Sequence, residues 1–177
     1  MSSTRTMGVS VTDVSTSAQL PLGFEYHEPA DATNAYGERV WVYIYNDNGS
    51  TAFTVGQVIY RDPSSADITD NNEEYWGGFP TPITVHQAKM MTLGVAQHAI
   101  AGGSYGFILK RGIGTVLATG AGVAADSPFT SGGDEIGAVI IYGDDTETLS
   151  SNIGVIGHTA AAITGDATGT AFISCGL

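Results

Sequence analysis

The most strongly patterned part of the chain is ERVWVYIYNDNGSTAFTVGQVIYRDP, residues 38–63. Val40-Trp41-Val42-Tyr43-Ile44-Tyr45 is an unbroken run of β-branched and aromatic residues, and Val55 to Tyr60 supplies a second such segment. Asp47, Asn48 and Gly49 between them tolerate positive φ. The pattern predicts a hairpin, or two strands joined by a short loop. Residues 62–82 are polar and acidic, with Pro63, Pro80 and Pro82, and read as a long acidic loop. Thr84 to Met91, TVHQAKMM, can form two helical turns, the one short helix the pattern allows. From Thr92 onward the apolar segments are short and punctuated by Gly or Asp. Strands are expected over 93–101, 104–110, 114–119, 136–142, 153–161 and 169–175.

Closely spaced strands without a long helix imply an all-β fold, a β-barrel or β-tulip-like domain of short antiparallel strands. Residues 1–20 are rich in Ser and Thr and poor in large apolar groups. They read as a flexible or extended N-terminal arm, with 21–177 as a single β domain. Fully extended, such an arm reaches roughly 60–70 Å.

Composition narrows the function classes. Charged residues make up 14% of the 177 residues, and the net charge is −12. The six basic residues are scattered apart from Lys110-Arg111. A field of this sign repels DNA, RNA and anionic membranes, so no direct nucleic-acid or membrane partner is expected. No apolar run approaches the roughly 18 residues of a membrane-spanning helix. The one cysteine, Cys175, excludes an internal disulfide. No signal peptide is evident, and synthesis in a reducing cytoplasm is expected.

Two stretches resemble one another. GVAQHAIAGGSYGFI, residues 94–108, and GVIGHTAAAITGDATGTAFI, residues 154–173, each open on Gly-Val and close on Phe-Ile. Each places a histidine, His98 or His158, four residues after the first Gly. One repeated β-hairpin accounts for the shared positions, with small residues where strands pack closely and bend. A catalytic or metal pair is the alternative. Neither histidine has a second ligand at i+2 or i+4, and there is no G-x-S-x-G nucleophile motif.

Other motifs fail on spacing. NDNG, residues 46–49, lacks the acidic residue before and the Glu after that a calcium loop needs, since Ile44 and Val55 stand there. KRGIGT, residues 110–115, has its Lys before the glycines and so is no P-loop. Acidic clusters over Asp62 to Glu74 and at Asp144, Asp145 and Glu147 read as solvated surface, and no carboxylate pair stands out as a glycosidase couple. No catalytic residue, cofactor or metal site is expected. Trp41 reads as core, whereas Trp76, in the polar segment, is the better candidate for an exposed partner contact.

Taken together, Leu22-Gly23, Arg39 to Tyr60, Gly94 to Ile108, Gly114-Thr115-Val116-Leu117, Val123 to Pro128 and Gly154 to Cys175 resemble the small decoration (cement) proteins of tailed-bacteriophage heads. The chain departs from that pattern at Ala125-Asp126-Ser127-Pro128, where Gly-Asp-Pro is typical. The resemblance implies a non-catalytic structural protein on the exterior of the assembled capsid. Its partner would be the lattice of the major capsid protein, and it would stabilise the shell as a homo-oligomer, plausibly a trimer. Val9, Val11 and Val14 of the arm are then the expected apolar anchors on the capsid. A phage tail component or a receptor- or carbohydrate-binding β-module is the alternative.

Overall fold

The computed structural model describes residues 5–6, 8–30, 37–61, 75–78, 92–131, 137–142 and 154–175. In chain order the strands are β1 (Arg5–Thr6), β2 (Val9–Ser10), β3 (Glu25–Glu28), β4 (Arg39–Asn46), β5 (Val58–Arg61) and β6 (Trp76–Gly78). They continue with β7 (Thr92–Val95), β8 (Tyr105–Leu117), β9 (Pro128–Ser131), β10 (Val139–Ile141), β11 (Gly157–Thr159) and β12 (Thr168–Ser174). The fold is all-β. The expected helix over 84–91 and most of the 62–82 loop lie outside the described residues.

The strands form two small barrels that share β8. In the first, β4 pairs with β8, β8 with β7, β7 with β5 and β5 with β6, all antiparallel, and β6 closes the ring by a parallel pairing with β4. In the second, the far half of β8 pairs with β12, β12 with β11, β11 with β9 and β9 with β10, again antiparallel. That ring closes through a parallel bridge between Val139 of β10 and Ala118, just past β8. One edge of β8 thus serves β4 from Tyr105 to Arg111 and β12 from Arg111 to Leu117. Gly112, at φ 118°, lies where the strand passes from one barrel to the next.

The two barrels repeat one plan residue by residue. Phe53 and Ile100 exchange both backbone hydrogen bonds, and so do Val123 and Ile163. After each of these four residues comes a tight turn whose third residue has positive φ: Gly56, Gly103, Asp126 and Asp166. That is the type II requirement, met by Gly or by Asp. The first barrel is filled by Ile44, Phe53, Ile59, Ile100 and Ile108. The corresponding positions of the second hold Val116, Val123, Phe129, Ile163 and Ala171, all buried.

This repeat answers the question of the histidines. Counting back from the paired Ile100 and Ile163, the mate of His98 is Ala161. His158 lies opposite Phe172, as Val95 lies opposite Leu109, so the mate of His158 is Val95. The duplicated unit is real and larger than a hairpin, but the two histidines occupy different places in it.

Three other expectations change. β4 and β5 do not pair with each other. They are two strands joined by a loop, with β6 between them. The segment 104–119 is one long strand rather than two. Within residues 1–20, the described part lies on the body instead of extending away. Ser15 pairs with Tyr105, Gln19 N–H donates to the Tyr43 hydroxyl at 3.1 Å, and Val11 and Leu20 are buried in the core. Burying two such side chains contributes about 1.5–3 kcal/mol each toward holding the segment down. This is also why β4 is apolar on both faces. Val42 and Ile44 fill the first barrel, while Trp41 and Tyr43 face the cluster that includes Val11 and Leu20.

Candidate functional site

The residues singled out from the sequence are scattered. Val11 is 3% exposed, its side chain turned into the core, and Val9 is half-buried against it. Val14 stays 41% exposed. Trp76 is half-buried at the start of β6, its ring edge-on to Tyr45 at 5.5 Å between centroids. It is therefore a barrel residue and not a loop tip. Tyr45 in turn packs on Tyr105 at 4.8 Å with the planes tilted by 44°.

No cluster of three metal-ligating side chains occurs among the described residues. The acidic runs at 62–74 and 144–147 lie outside them. Cys175 is buried in the core, with its N–H donating to the Lys110 carbonyl at 2.9 Å. Among the described residues no helix is long and apolar enough to cross a membrane.

His98 sits in the turn after β7 with both ring nitrogens enclosed and without a hydrogen-bond partner among the described residues. Burial lowers its pKa below 6.5, and the charge of Asp13 opposes the shift in part. A histidine held neutral in the folded state binds fewer protons there than in the unfolded chain. Stability is therefore full above about pH 6.5 and falls as pH drops below it. Melting temperature measured from pH 7.5 down to 5 should decline in the wild type and decline less in His98→Leu. Parallel curves for the two proteins would show that His98 is not responsible.

The surface feature that joins both barrels is a groove of about 230 Å³ lined by Glu38, Val40, Arg111, Gly112, Ile113 and Phe172. It lies where β4, β8 and β12 meet at Arg111. Phe172 is 45% exposed, Ile113 opposite it is half-buried, and Val40 forms part of the floor. Arg111 is exposed and makes no ion pair among the described residues. Glu38, on the other rim, faces His27 Nδ1 at 3.6 Å. Behind the groove, the Glu28 carboxylate, itself 3% exposed, accepts from Arg39 Nε at 2.9 Å, Arg39 Nη2 at 3.0 Å and Trp41 Nε1 at 2.9 Å. This network ties β3 to β4 and fixes one wall. Nearby Lys110 pairs with Glu25 at 2.5 Å.

Sequence reasoning missed this groove because Val40, Ile113 and Phe172 come from three distant strands. The available signal was the alternation in β12, where Ala171 and Ile173 are buried and Phe172 between them is not. An aromatic residue at the outward position of an alternating strand is an exposed apolar group.

No protein-family model matches the chain, and no curated protein matches it. Among solved structures, the N-terminal base of the head fiber protein gp8.5 of bacteriophage phi29 is similar. The identity is 12%, the match covers 78% of this chain and 98% of that one, and the TM-score is 0.48. A likeness this low transfers no function from one protein to the other.

Proposed function

We propose that the chain is a non-catalytic bacteriophage structural protein that binds the outside of the assembled head and stabilises it. The observation that supports this reading is where the resemblance noted in the sequence falls on the fold. Gly94 and Gly56, both within it, pack against backbone of β8, where a Cβ would meet the Leu109 carbonyl oxygen at 2.7 Å and the Leu117 nitrogen at 2.8 Å. Gly103, also within it, adopts the positive φ of a repeated turn. The resemblance therefore falls on positions on which the double barrel depends.

The physics of the role is linkage. A protein that binds only the assembled lattice shifts the equilibrium toward assembly. A modest contact, on the order of 1,000–1,600 Å² per site, suffices when repeated over the shell. The charge of −12 favours an exterior position, away from the packaged genome.

Adding the purified chain to bare phage heads of its source should give co-sedimentation at a stoichiometry comparable to that of the major capsid protein. Decorated heads should also resist heating better than bare ones. A chain that stays in the supernatant, or that is missing from intact virions, would remove this reading.

A further inference from the structure

The repeat of the two barrels makes one surface conspicuous. In the first barrel the cross-strand row Val95–Leu109–Trp41 lies on the outer face of the sheet and is fully buried. It belongs to the cluster that joins the second barrel to the N-terminal segment through Val11 and Leu20. In the second barrel the matching row is His158–Phe172–Ile113. Here no described segment covers it: His158 and Phe172 are exposed, Ile113 is half-buried, and the groove beside them is open. The same face that is covered on one barrel is left bare by the described residues on the other.

The geometry points to a second copy of this chain as its occupant, presenting the exposed Asp13-Val14 of its own N-terminal segment. Two complementarities support the choice. Val14 is one of the few large apolar side chains left exposed, and a groove of about 230 Å³ walled by Val40, Ile113 and Phe172 accommodates a side chain of that size. Asp13 is exposed and negatively charged, and Arg111, which lines the groove, makes no ion pair among the described residues. Glu38, which also lines the groove, faces His27 Nδ1 at 3.6 Å. In the first barrel Val11 and Leu20 of the N-terminal segment belong to the same buried cluster as the covered row.

The contact cannot form within one chain. Ser15 is fixed to Tyr105 at one end of β8, and the groove lies at Arg111 to Ile113 on the same strand. At about 3.3 Å per residue that separation is roughly 20–25 Å. Asp13, two residues from Ser15, reaches about 7 Å along an extended chain. Knob and groove therefore sit on different parts of the molecule and give a heterologous, head-to-tail contact, which closes into a ring or propagates. The inference stands independently of binding to a phage head.

Sedimentation equilibrium of the full chain tests it. The wild type should self-associate at micromolar concentration. Phe172→Asp and Val14→Asp should each weaken association by about tenfold or more, with unchanged melting temperature and circular dichroism. Asp13→Arg and Arg111→Asp should each weaken it, and the double variant should recover most of the loss. A wild type that remains monomeric at high micromolar concentration would overturn the proposal. An oligomer indifferent to Phe172→Asp, or a charge swap without recovery, would do the same.

Discussion

Replacing Glu28 by Ala should lower the stability of the fold by about 3–5 kcal/mol, the largest loss expected from removing a single side chain's polar contacts. The carboxylate is almost fully enclosed and accepts three hydrogen bonds, two from Arg39 and one from the Trp41 indole. Without it, a guanidinium that is 19% exposed loses two charge-assisted hydrogen bonds and a buried indole N–H loses its acceptor. Their desolvation is then uncompensated. At about 2–4 °C per kcal/mol for a chain of this length, the melting temperature should drop by roughly 6–20 °C. Glu28→Gln keeps an oxygen acceptor while losing the charge, and should fall between wild type and Glu28→Ala. Calorimetry decides the matter. A Glu28→Ala melting temperature within a degree or two of wild type would mean that β3 is not held by this network.

The second large effect is expected at a pair of glycines that the repeat makes equivalent. A Cβ at Gly94 would lie 2.7 Å from the Leu109 carbonyl oxygen, and one at Gly157 would lie 2.5 Å from that of Phe172. Leu109 and Phe172 are themselves equivalent residues of β8 and β12. A backbone oxygen in a paired strand cannot swing aside as a flexible side chain can. Gly94→Ala and Gly157→Ala should therefore each cost about 2–3 kcal/mol or more, by forcing strands apart in a close-packed barrel. Gly49→Ala is the control. Its Cβ meets nothing within 4 Å, and its only penalty is the φ of +56°, worth about 1–2 kcal/mol. Denaturant unfolding of the three variants ranks them. If Gly49→Ala proves as damaging as the other two, backbone conformation rather than close approach explains why glycine stands there.

Much of the architecture was legible along the chain, and the failures have identifiable causes. β4 could be read because its run of β-formers is buried on both faces, and the tight turns could be read from Gly and Asp. β6 gave no signal. It is Trp-Gly-Gly, and Gly77 is bare because Ile59, Ile44 and Phe53 crowd the place where a Cβ would be. Without a signal for β6, the sequence left open whether β4 and β5 form a hairpin or are two strands joined by a loop, and the fold shows the second. β9 begins with Pro128 and spans Pro128–Ser131, so its start looks like a loop. β8 looked like two strands because Arg111-Gly112-Ile113-Gly114 has the composition of a turn, yet its glycines serve strands that pass close by. The likeness of 94–108 to 154–173 was a true trace of the repeat read in the wrong register. Gly94 was matched to Gly154, whereas the fold matches it to Gly157.

The candidate surface was less legible than the fold. Val14 could be named from the sequence, but Val11 could not be told apart from it, since both are isolated valines in a polar segment. Only the packing of Val11 into the core separates them. Phe172 stood at the end of the repeated stretch and was read as part of a return strand, with no hint that it faces outward.

By itself the sequence determined the class of structure: an acidic all-β chain of short strands and tight turns, with no disulfide. These follow from local chemistry, namely β-propensity, the φ that Gly and Asp allow, and charge count, none of which depends on distant partners. The tertiary structure alone decided that β8 belongs to two barrels, that the described part of the N-terminal segment is docked, and that one sheet face is covered on the first barrel and left open by the described residues on the second. Each of these depends on which distant residues meet. That choice is made by burial of apolar area and by strand register over the whole chain, and a local pattern does not encode it.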